Sequence, residues 1–522
     1  MFTATLCRIA DCYLDLWLIL IMWQLYSLSE FDVKGLLLFL FVFLLITDVL
    51  KNRKPSNFPP GPRGLPFVGS IFSLDAKLPH VYLIKCHSLQ VAKVFGNVHS
   101  INLGGETMVC VVGYKMVKEA LVSQADCFVS RPSHAVTDRI YSGNGLFLSN
   151  GHLWKRQRRF ALSTLRNFGM GKQSLESFIL EESKFVQEEI ELQKGNPFDP
   201  HNLFNQAVSN VICILIFGHR FDYTNHQFQT LLKLLSEVMY LQGTIWALLY
   251  GTFPKLMKML PGPHNRIFSH YRVLSDFVME DLERRKEEMD SSTPQDYIDS
   301  YLAEIEKNTD DPAAGFNHTN MALCALDLLI AGSETTFTTL RWGLLFMIKY
   351  PDIQEKVQAE IDQVVGPSRP PCMADRADMP YSNAVIHEVQ RMGNILPLGV
   401  PRMATCDTSL GGYFIPKGTS LLVNLTSVLF DENEWETPDT FNPGHFLDSE
   451  GNLVRKDAFL PFSAGKRVCL GEQLARMELF LFFTSLLQKF SFSPPQGVEP
   501  SLNTDGGGTQ APLPFKICAS PR

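Results

Sequence analysis

An uncharged apolar run near the amino terminus, followed closely by prolines, constrains the architecture more than any other feature. Residues 35–47 read GLLLFLFVFLLIT, and the apolar character resumes after Asp48 up to residue 50. These sixteen residues are close to the minimum of about 17 that crosses a bilayer. Basic residues follow directly at Lys51, Arg53 and Lys54. Because basic flanks favour the cytoplasmic side, we expect residues 1–50 to anchor the chain and the rest to be cytosolic.

Two other interpretations of this region were weighed. A cleaved signal peptide is disfavoured because no small-residue cleavage site follows residue 47 and the basic cluster lies on the wrong side. The earlier stretch 13–28 is apolar and rich in Trp and Tyr, but it contains Asp15 and Gln24. Such a composition suits the membrane interface, so this stretch is interfacial or a second partial insertion.

A basic, proline-rich hinge at residues 51–66 should separate the anchor from a body at 67–522. Residues 59–66 read PPGPRGLP, and proline fixes φ, so the hinge should be stiff and extended. Apolar spacing of three and four residues predicts helices in the body at 112–124, 173–193, 203–217, 228–240 and 267–288. Strand-like pieces are short, at 98–103, 107–112 and 411–424. The expected fold class is mainly α with small β-sheets.

Composition excludes several classes of protein. With 45% hydrophobic and 19% charged residues the chain is not intrinsically disordered, and a net charge of −7 argues against a nucleic-acid binder. The eleven cysteines form no C-x-x-C motif, so a zinc ribbon is unsupported. The sequence has neither a Walker A motif nor a G-x-G-x-x-G after a strand. Any electrons for redox chemistry should therefore come from outside this chain.

One cysteine stands apart from the others. Residues 462–471 read FSAGKRVCLG and bring Cys469 to the start of a helix-like stretch. The helix end, Lys466 and Arg467 should favour a thiolate, which could act as a nucleophile or a metal ligand. A lone cysteine with no such context would be ordinary buried packing.

This segment resembles the haem-binding loop of cytochromes P450, F-x-x-G-x-R-x-C-x-G, at all five fixed positions. The resemblance extends over residues 55–522 and implies a cytochrome P450 fold that binds haem b (iron protoporphyrin IX). Cys469 is then implied to be the axial ligand of the haem iron. The implied propionate-binding residues are Trp154 and Arg158 (a W-x-x-x-R motif), Arg402 and Arg467. Some relatives have a further arginine before the W-x-x-x-R motif, where this chain has Ser142, so no role is assigned there.

A second motif, Glu388-Val-Gln-Arg391, resembles the structural E-x-x-R pair of the same family. Spacing of three residues places both side chains on one helix face. The segment FNPGHF occupies the position of the residue that completes the pair, which makes His445 the candidate. A zinc-protease interpretation of His387-Glu388 fails because H-E-x-x-H requires histidine where Arg391 stands.

A third motif, Ala331-Gly-Ser-Glu-Thr-Thr336, lies in the apolar segment 321–350, which ends before Pro351. The resemblance implies the central helix over the haem, where Ala331 and Gly332 let O2 and substrate approach the backbone. Glu334 and Thr335 resemble the acid–alcohol pair that relays protons to the O2 site. Their presence favours monooxygenation over the peroxide isomerases that share this fold.

The resemblance is strongest to animal microsomal enzymes of the second family, with the J-like branch nearest. It implies an unspecific monooxygenase of the endoplasmic reticulum (microsome) membrane, with its catalytic domain on the cytosolic face. The implied partners are O2, NADPH-cytochrome P450 reductase, cytochrome b5 as an auxiliary, and a lipophilic substrate. We expect epoxidation or hydroxylation of polyunsaturated fatty acids first, then steroids or xenobiotics. A P450-fold peroxide isomerase and a non-catalytic haem protein are the alternatives.

Three further expectations concern surfaces. The substrate pocket should include Ala331, Ile395, Leu396, Leu398, Val400 and Leu513. Basic residues around the haem motifs could attract an acidic flavoprotein or form a solvated face: Lys155, Arg156, Arg158, Arg159, Lys466, Arg467 and Arg476. The interrupted apolar stretch 238–262 is either a core helix pair or a second membrane contact.

Overall fold

The computed structural model describes residues 33–51, 54–62, 64, 69, 80–103, 106–170, 173–286, 294–504 and 509–522. The stretch 13–28 lies outside the described residues. The chain divides into two compact units, Met1–Pro55 with Leu65–Phe67, and Ser56–Gly64 with Val68–Arg522. In the first unit the described helix is α1 (Val33–Lys51), and the apolar side chains Leu37, Leu38 and Phe41 on it are 60%, 64% and 57% exposed.

The second unit is built mainly from helices. They are α2 (His80–Phe95), α3 (Tyr114–Lys118, continued by a π-helical turn to Ser123), α4 (Ala135–Tyr141), α5 (Gly151–Asn167), α6 (Gln173–Leu192), α7 (His201–Phe217), α8 (His226–Gln242), α9 (Ile245–Thr252), α10 (Pro254–Met257), α11 (His264–Lys286), α12 (Tyr297–Lys307), α13 (His318–Lys349), α14 (Pro351–Val364), α15 (Pro380–Gly393), α16 (Thr426–Leu429) and α17 (Glu472–Lys489). Each of the five helices predicted from apolar spacing coincides with one of them.

The strands form small sheets. They are β1 (Val98–Leu103), β2 (Glu106–Val111), β3 (Arg402–Met403), β4 (Thr408–Leu410), β5 (Tyr413–Ile415), β6 (Ser420–Val423), β7 (Phe490–Ser493) and β8 (Cys518–Pro521). The four-stranded sheet has the order β1-β2-β6-β3, in which β2 and β6 run parallel and the other pairs antiparallel. β4–β5 and β7–β8 are antiparallel pairs. The predicted fold class is confirmed.

Helix α13 is the centre of the second unit and packs against α7, α11, α15 and α17. Asn317 caps its start, since its side chain accepts a hydrogen bond from the Asn320 backbone N–H at 2.9 Å. The helix ends before Pro351, which disfavours helical geometry in the preceding residue. Nearly all of α13 is buried from residue 320 to 348, except a window at 330–335 where Ala331 is exposed. Helix α13 therefore presents one accessible stretch in an otherwise buried core.

Two apolar regions bear on the membrane expectations. Among the described helices, only α13 meets a length and hydropathy test for a membrane span, and 72% of its apolar window is buried inside the protein. The interrupted stretch 238–262 forms the end of α8 and the short helices α9 and α10. It buries Ala247, Tyr250 and Met257 but leaves Tyr240 and Met259 58% and 82% exposed, so it combines core packing with an apolar surface.

Candidate active site

The loop 462–471 holds Cys469 immediately before α17. The Cys469 backbone N–H donates to the Phe462 carbonyl at 3.1 Å, which closes the loop. Gly465 has φ of 74°, and a Cβ at this position would lie 1.8 Å from the Leu121 carbonyl oxygen. Only glycine can therefore occupy this position without moving the backbone.

Cys469 is exposed to solvent, but many atoms of the chain lie around its thiol. Burial raises the pKa of this thiol, while the Gly471 backbone N–H and Arg158 lower it and Glu472 raises it further. The expectation of a thiolate at Cys469 stays a prediction, because burial opposes ionisation of the thiol whereas the Gly471 N–H and Arg158 favour it. Lys466 is paired with Asp126 instead. Coordination to a metal ion would itself deprotonate the thiol.

Four arginines form a cluster in the same part of the unit. They are Arg131, Arg158, Arg402 and Arg467. Burial is the main cause that lowers the pKa of each, to about 10 for Arg402 and about 9 for Arg467, and the positive charge of neighbouring arginines adds to it at Arg131, Arg402 and Arg467. In the part of the chain that the structure describes, no carboxylate forms an ion pair with any of the four. Among the described residues, the cluster thus has no carboxylate to balance its charge.

Backbone carbonyls hold the predicted propionate-binding residues in place. Arg467 donates to Val129 O at 2.9 Å and to Ser149 O at 2.6 Å, and its guanidinium lies 3.8 Å from the ring centroid of the buried Trp154. Arg158, one helical turn beyond Trp154 on α5, donates to Val468 O at 2.6 Å in the cysteine loop. These contacts connect α5 with the loop that carries Cys469.

Arg402 and Arg131 complete the cluster. Arg402 lies on β3, is 3% exposed, and donates to the Ser463 hydroxyl at 3.3 Å. Arg131 is 5% exposed and donates to the Val400 and Pro401 carbonyls at 3.0 and 2.9 Å.

Sequence reasoning missed Arg131 because it looked for the additional arginine at Ser142, the left-handed residue that ends α4. The sequence signal that could have identified Arg131 was an arginine followed by a proline after an apolar stretch.

A second residue that the sequence reasoning missed is Asp327, on α13. Its carboxylate accepts hydrogen bonds from the Leu146 and Phe147 backbone N–H groups at 2.7 and 2.9 Å and from the Tyr141 hydroxyl at 2.9 Å. Burial raises the pKa of Asp327 to about 6. The Phe147 carbonyl in turn accepts from Arg131 at 3.3 Å, so Asp327 fixes the segment against which the arginines lie.

The predicted acid–alcohol pair lies at the accessible window of α13. The Thr335 hydroxyl donates to the Ala331 carbonyl at 2.7 Å, which leaves its oxygen free to accept a hydrogen bond. The Glu334 carboxylate accepts a hydrogen bond from the Thr509 hydroxyl at 3.0 Å. At Gly332 a Cβ would lie 3.0 Å from Ile212 Cγ1 on α7. Its lack of a side chain serves helix packing.

The E-x-x-R pair is fully buried. Arg391 donates from Nε and Nη2 to the two oxygens of Glu388, each at 2.8 Å, and also to the carbonyls of Leu429, Pro438 and Thr440. His445 Nδ1 lies 3.3 Å from Glu388 Oε1.

The partners of the other ring nitrogen fix the tautomer of His445. The Thr437 backbone N–H donates to His445 Nε2 at 3.2 Å, so Nε2 is an acceptor and Nδ1 carries the proton. His445 therefore donates to Glu388 and joins the pair.

Hydrogen bonds bring the predicted pocket segments together. Gln510 N donates to Ile395 O at 2.8 Å, and the adjacent Thr509 reaches α13 through Glu334. Ile395, Leu396 and Val400 are half-buried, Ala331 is exposed, and Leu513 is 39% exposed. Leu398 differs, since it is 7% exposed and packs with Ile101, Cys110 and Leu422 beside the four-stranded sheet.

The seven basic residues of the predicted docking face do not act alike. Arg158 and Arg467 belong to the arginine cluster, Arg156 pairs with Asp311 at 3.2 Å, and Arg476 pairs with Glu472 at 2.9 Å. The exposed members are Lys155, Arg159 and Lys466.

The cysteine and the arginine cluster fit a haem. A porphyrin with two propionates is a dianion that the guanidinium groups of the cluster, three of them buried and that of Arg158 half-buried, would neutralise, and the accessible Cys469 suits the iron. The sequence model of the family described as Cytochrome P450 matches residues 59–519. Cytochrome P450 2J1 of Oryctolagus cuniculus is 51% identical over 94% of this chain and 96% of its own length. Cytochrome P450 2J2 of Homo sapiens is 50% identical over the same shares, and cytochrome P450 2B4 of Oryctolagus cuniculus is 43% identical over 92% and 98%.

The chain belongs to the cytochrome P450 family. It is a haem-containing monooxygenase that uses O2, a redox partner and lipophilic substrates. The resemblance to the J-like branch of the second family is confirmed.

Proposed function

We propose that the chain binds haem b, whose iron Cys469 would hold and whose propionates Arg131, Arg158, Arg402, Arg467 and Trp154 would hold. The observation that carries this proposal is the group of buried arginines without a carboxylate partner, beside an accessible thiol. A dianionic ligand would offset the burial, and at Arg131, Arg402 and Arg467 also the mutual repulsion, that lowers the pKa of these arginines. Glu388, Arg391 and His445 would act structurally, because all three are buried in one closed network.

When bound, the haem would activate O2, and residues on α13 would supply the protons. Thr335 would hold the hydrogen-bond network at the O2 site, since its own proton is directed to the Ala331 carbonyl and its oxygen can accept. Glu334 would deliver protons to Thr335 from the adjacent helical position, with Thr509 orienting its carboxylate. The accessible window at Ala331 gives the substrate access to this stretch of the helix.

The substrate class that we propose is a polyunsaturated fatty acid, oxidised by epoxidation or hydroxylation, with steroids and xenobiotics as further substrates. Ala331, Ile395, Leu396, Val400 and Leu513 would line an apolar pocket, which suits an extended hydrocarbon chain. Leu398 would support this pocket from the core, because it packs beside the sheet.

Electrons would come from NADPH through NADPH-cytochrome P450 reductase, with cytochrome b5 as an auxiliary donor. The exposed cations Lys155, Arg159 and Lys466 offer a surface for an acidic flavoprotein. Helix α1 would anchor the enzyme in the endoplasmic reticulum membrane, as its exposed leucines and Phe41 require an apolar environment. Residues 51–66 would form the hinge, and the exposed apolar side chains of Tyr240 and Met259 would provide a second membrane contact.

The decisive test of the haem assignment is the reduced, CO-bound difference spectrum of the purified protein. We expect a red-shifted, thiolate-type Soret band that is lost in Cys469→His and retained in Cys372→His, a half-buried cysteine outside the site. An unchanged band in Cys469→His would overturn the assignment of the ligand.

A second assay addresses the reaction. Arachidonic acid with reductase and NADPH should yield mono-oxygenated products, and Thr335→Ala should lower their yield per NADPH consumed. Conversion of a lipid hydroperoxide without NADPH, together with no NADPH-dependent product, would instead favour the peroxide isomerase. Haem binding without either reaction would favour a non-catalytic haem protein.

A further inference from the structure

Two cysteines outside the haem site lie side by side. Cys406 Sγ is 3.1 Å from Cys127 Sγ, about 1 Å longer than a disulfide bond. Neither is in a disulfide, and Cys127 is half-buried whereas Cys406 is exposed. An oxidant can therefore reach Cys406 first, with a second thiol already in contact behind it.

The backbone holds the two cysteines in register. Met403 N donates to Ser130 O and Thr405 N donates to Cys127 O, both at 2.7 Å. These main-chain hydrogen bonds join the segment 127–130 to the segment 403–405, directly before Cys406. Only a small displacement of the two side chains is needed to bring the sulfurs to bonding distance.

The two thiols differ in exposure, because Cys406 is exposed and Cys127 is half-buried. The contact with Cys406 is the main cause that raises the pKa of Cys127, burial and the nearby Asp126 carboxylate raise it further, and Thr408 lowers it. Partial burial and a raised pKa make Cys127 a poor nucleophile toward a free oxidant. The exposed Cys406 is the better first target, and Cys127 is placed to react with whatever forms on it.

We propose that Cys127 and Cys406 form a redox-active dithiol that hydrogen peroxide converts to a disulfide. The Cys406 thiol releases its proton and the thiolate attacks the peroxide; the O–O bond breaks, Cys406 sulfenic acid and hydroxide form, and the hydroxide takes up the released proton to give water. The Cys127 thiol then attacks the Cys406 sulfur, the S–O bond breaks, and a second water leaves. In total two thiols lose two electrons and two protons, and one peroxide is reduced to two waters.

The crosslink would join two segments that hold the arginine cluster. Cys127 lies two residues before Val129, whose carbonyl accepts from Arg467, and Cys406 lies four residues after Arg402. Oxidation would therefore fix the two segments to each other beside the haem loop. The reaction itself needs neither haem turnover nor a redox partner.

The test uses the purified full-length holoprotein, reduced and freed of reductant, then treated with hydrogen peroxide, alkylated and digested for mass spectrometry. We expect a peptide pair joined through Cys127 and Cys406 that dithiothreitol separates. Glutathione disulfide should produce the same crosslink without peroxide. Cys372→Ser, which replaces a half-buried cysteine elsewhere, should keep the crosslink.

The variant Cys127→Ser gives the sharpest outcome. Without the second thiol, Cys406 sulfenic acid should persist at least about tenfold longer, as measured with a dimedone probe, because an intramolecular reaction partner is lost. An equal sulfenic acid lifetime in wild type and Cys127→Ser, or oxidation of Cys406 in wild type with no crosslink to Cys127, would overturn the proposal.

Discussion

Replacing Glu388 with alanine should cost more stability than almost any other carboxylate substitution in this chain. Glu388 is fully buried, and it accepts hydrogen bonds at 2.8 Å from two nitrogens of Arg391 and from the Asn442 backbone N–H, and at 3.3 Å from His445. Its removal leaves the Arg391 guanidinium buried with backbone carbonyls as its remaining partners. An ionised group without its counter-charge then stays in the core.

The magnitude follows from that burial. Removing one partner of a buried ion pair costs about 3–5 kcal/mol. The total stability of a folded domain is about 5–15 kcal/mol, so this loss is a large fraction of it. The matched control is Glu188→Ala, which breaks an exposed pair with Lys184 at 3.8 Å, where the side chains are 52% and 77% exposed. An exposed pair of this kind contributes about 0–1 kcal/mol.

The assay is urea unfolding of wild type and both variants, followed by far-UV circular dichroism, with haem content measured by the CO-bound spectrum. We expect Glu388→Ala to shift the midpoint strongly and to retain little haem, while Glu188→Ala resembles wild type. If the free energy of unfolding of Glu388→Ala lay within about 1 kcal/mol of that of Glu188→Ala, the buried-charge reasoning would be refuted.

Three further outcomes are expected. Asp327 has a pKa raised to about 6, so its contribution to stability is complete below about pH 3.9 and is lost as pH rises through 6. The unfolding free energy of wild type relative to Asp327→Asn should therefore fall by about 2–3 kcal/mol between pH 4 and 7, and a rise would contradict the assignment. Arg131→Met should weaken haem retention in competition with apomyoglobin by about tenfold or more, whereas the exposed Arg159→Met should not; equal retention would exclude Arg131 from the haem site. Gly465→Ala should abolish the CO-bound spectrum because its Cβ would meet backbone, while Gly35→Ala, with nothing within 4 Å, should retain it; equal spectra would contradict this steric argument.

Much of the fold could be predicted from local patterns. Apolar spacing located the helices, and β1 was predicted at its observed bounds, because periodicity reports which face of a segment is buried. The motif around Cys469 and the Glu388–Arg391 spacing identified residues that the structure brings into a loop before a helix and into a closed ion pair. His445 also joined that pair as predicted, although it lies 57 residues away in sequence.

Other features depended on residues that are distant in sequence. Arg131 and Asp327 carry no motif, and their importance follows from burial beside groups contributed by other segments. Gly332 matched a motif, but its neighbour Ile212 on α7 shows why the side chain is absent. The electrostatic balance at the Cys469 thiol could not be predicted from the motif, because desolvation depends on the whole surrounding chain and opposes the effect of the nearby helix end.

The sequence by itself was enough to predict that the chain binds haem through a cysteine. A loop that holds haem by a thiolate needs a few residue types at fixed spacing, and the short segment 462–471 contains all of them. The sequence also determined the helical body, since helix formation depends on local spacing. Only the tertiary structure decided which charges lack partners, which thiols touch and which groups are desolvated. Coulomb energy, hydrogen bonding and burial depend on distances in space, and the pairs Cys127–Cys406 and Arg131–Arg467 lie far apart along the chain.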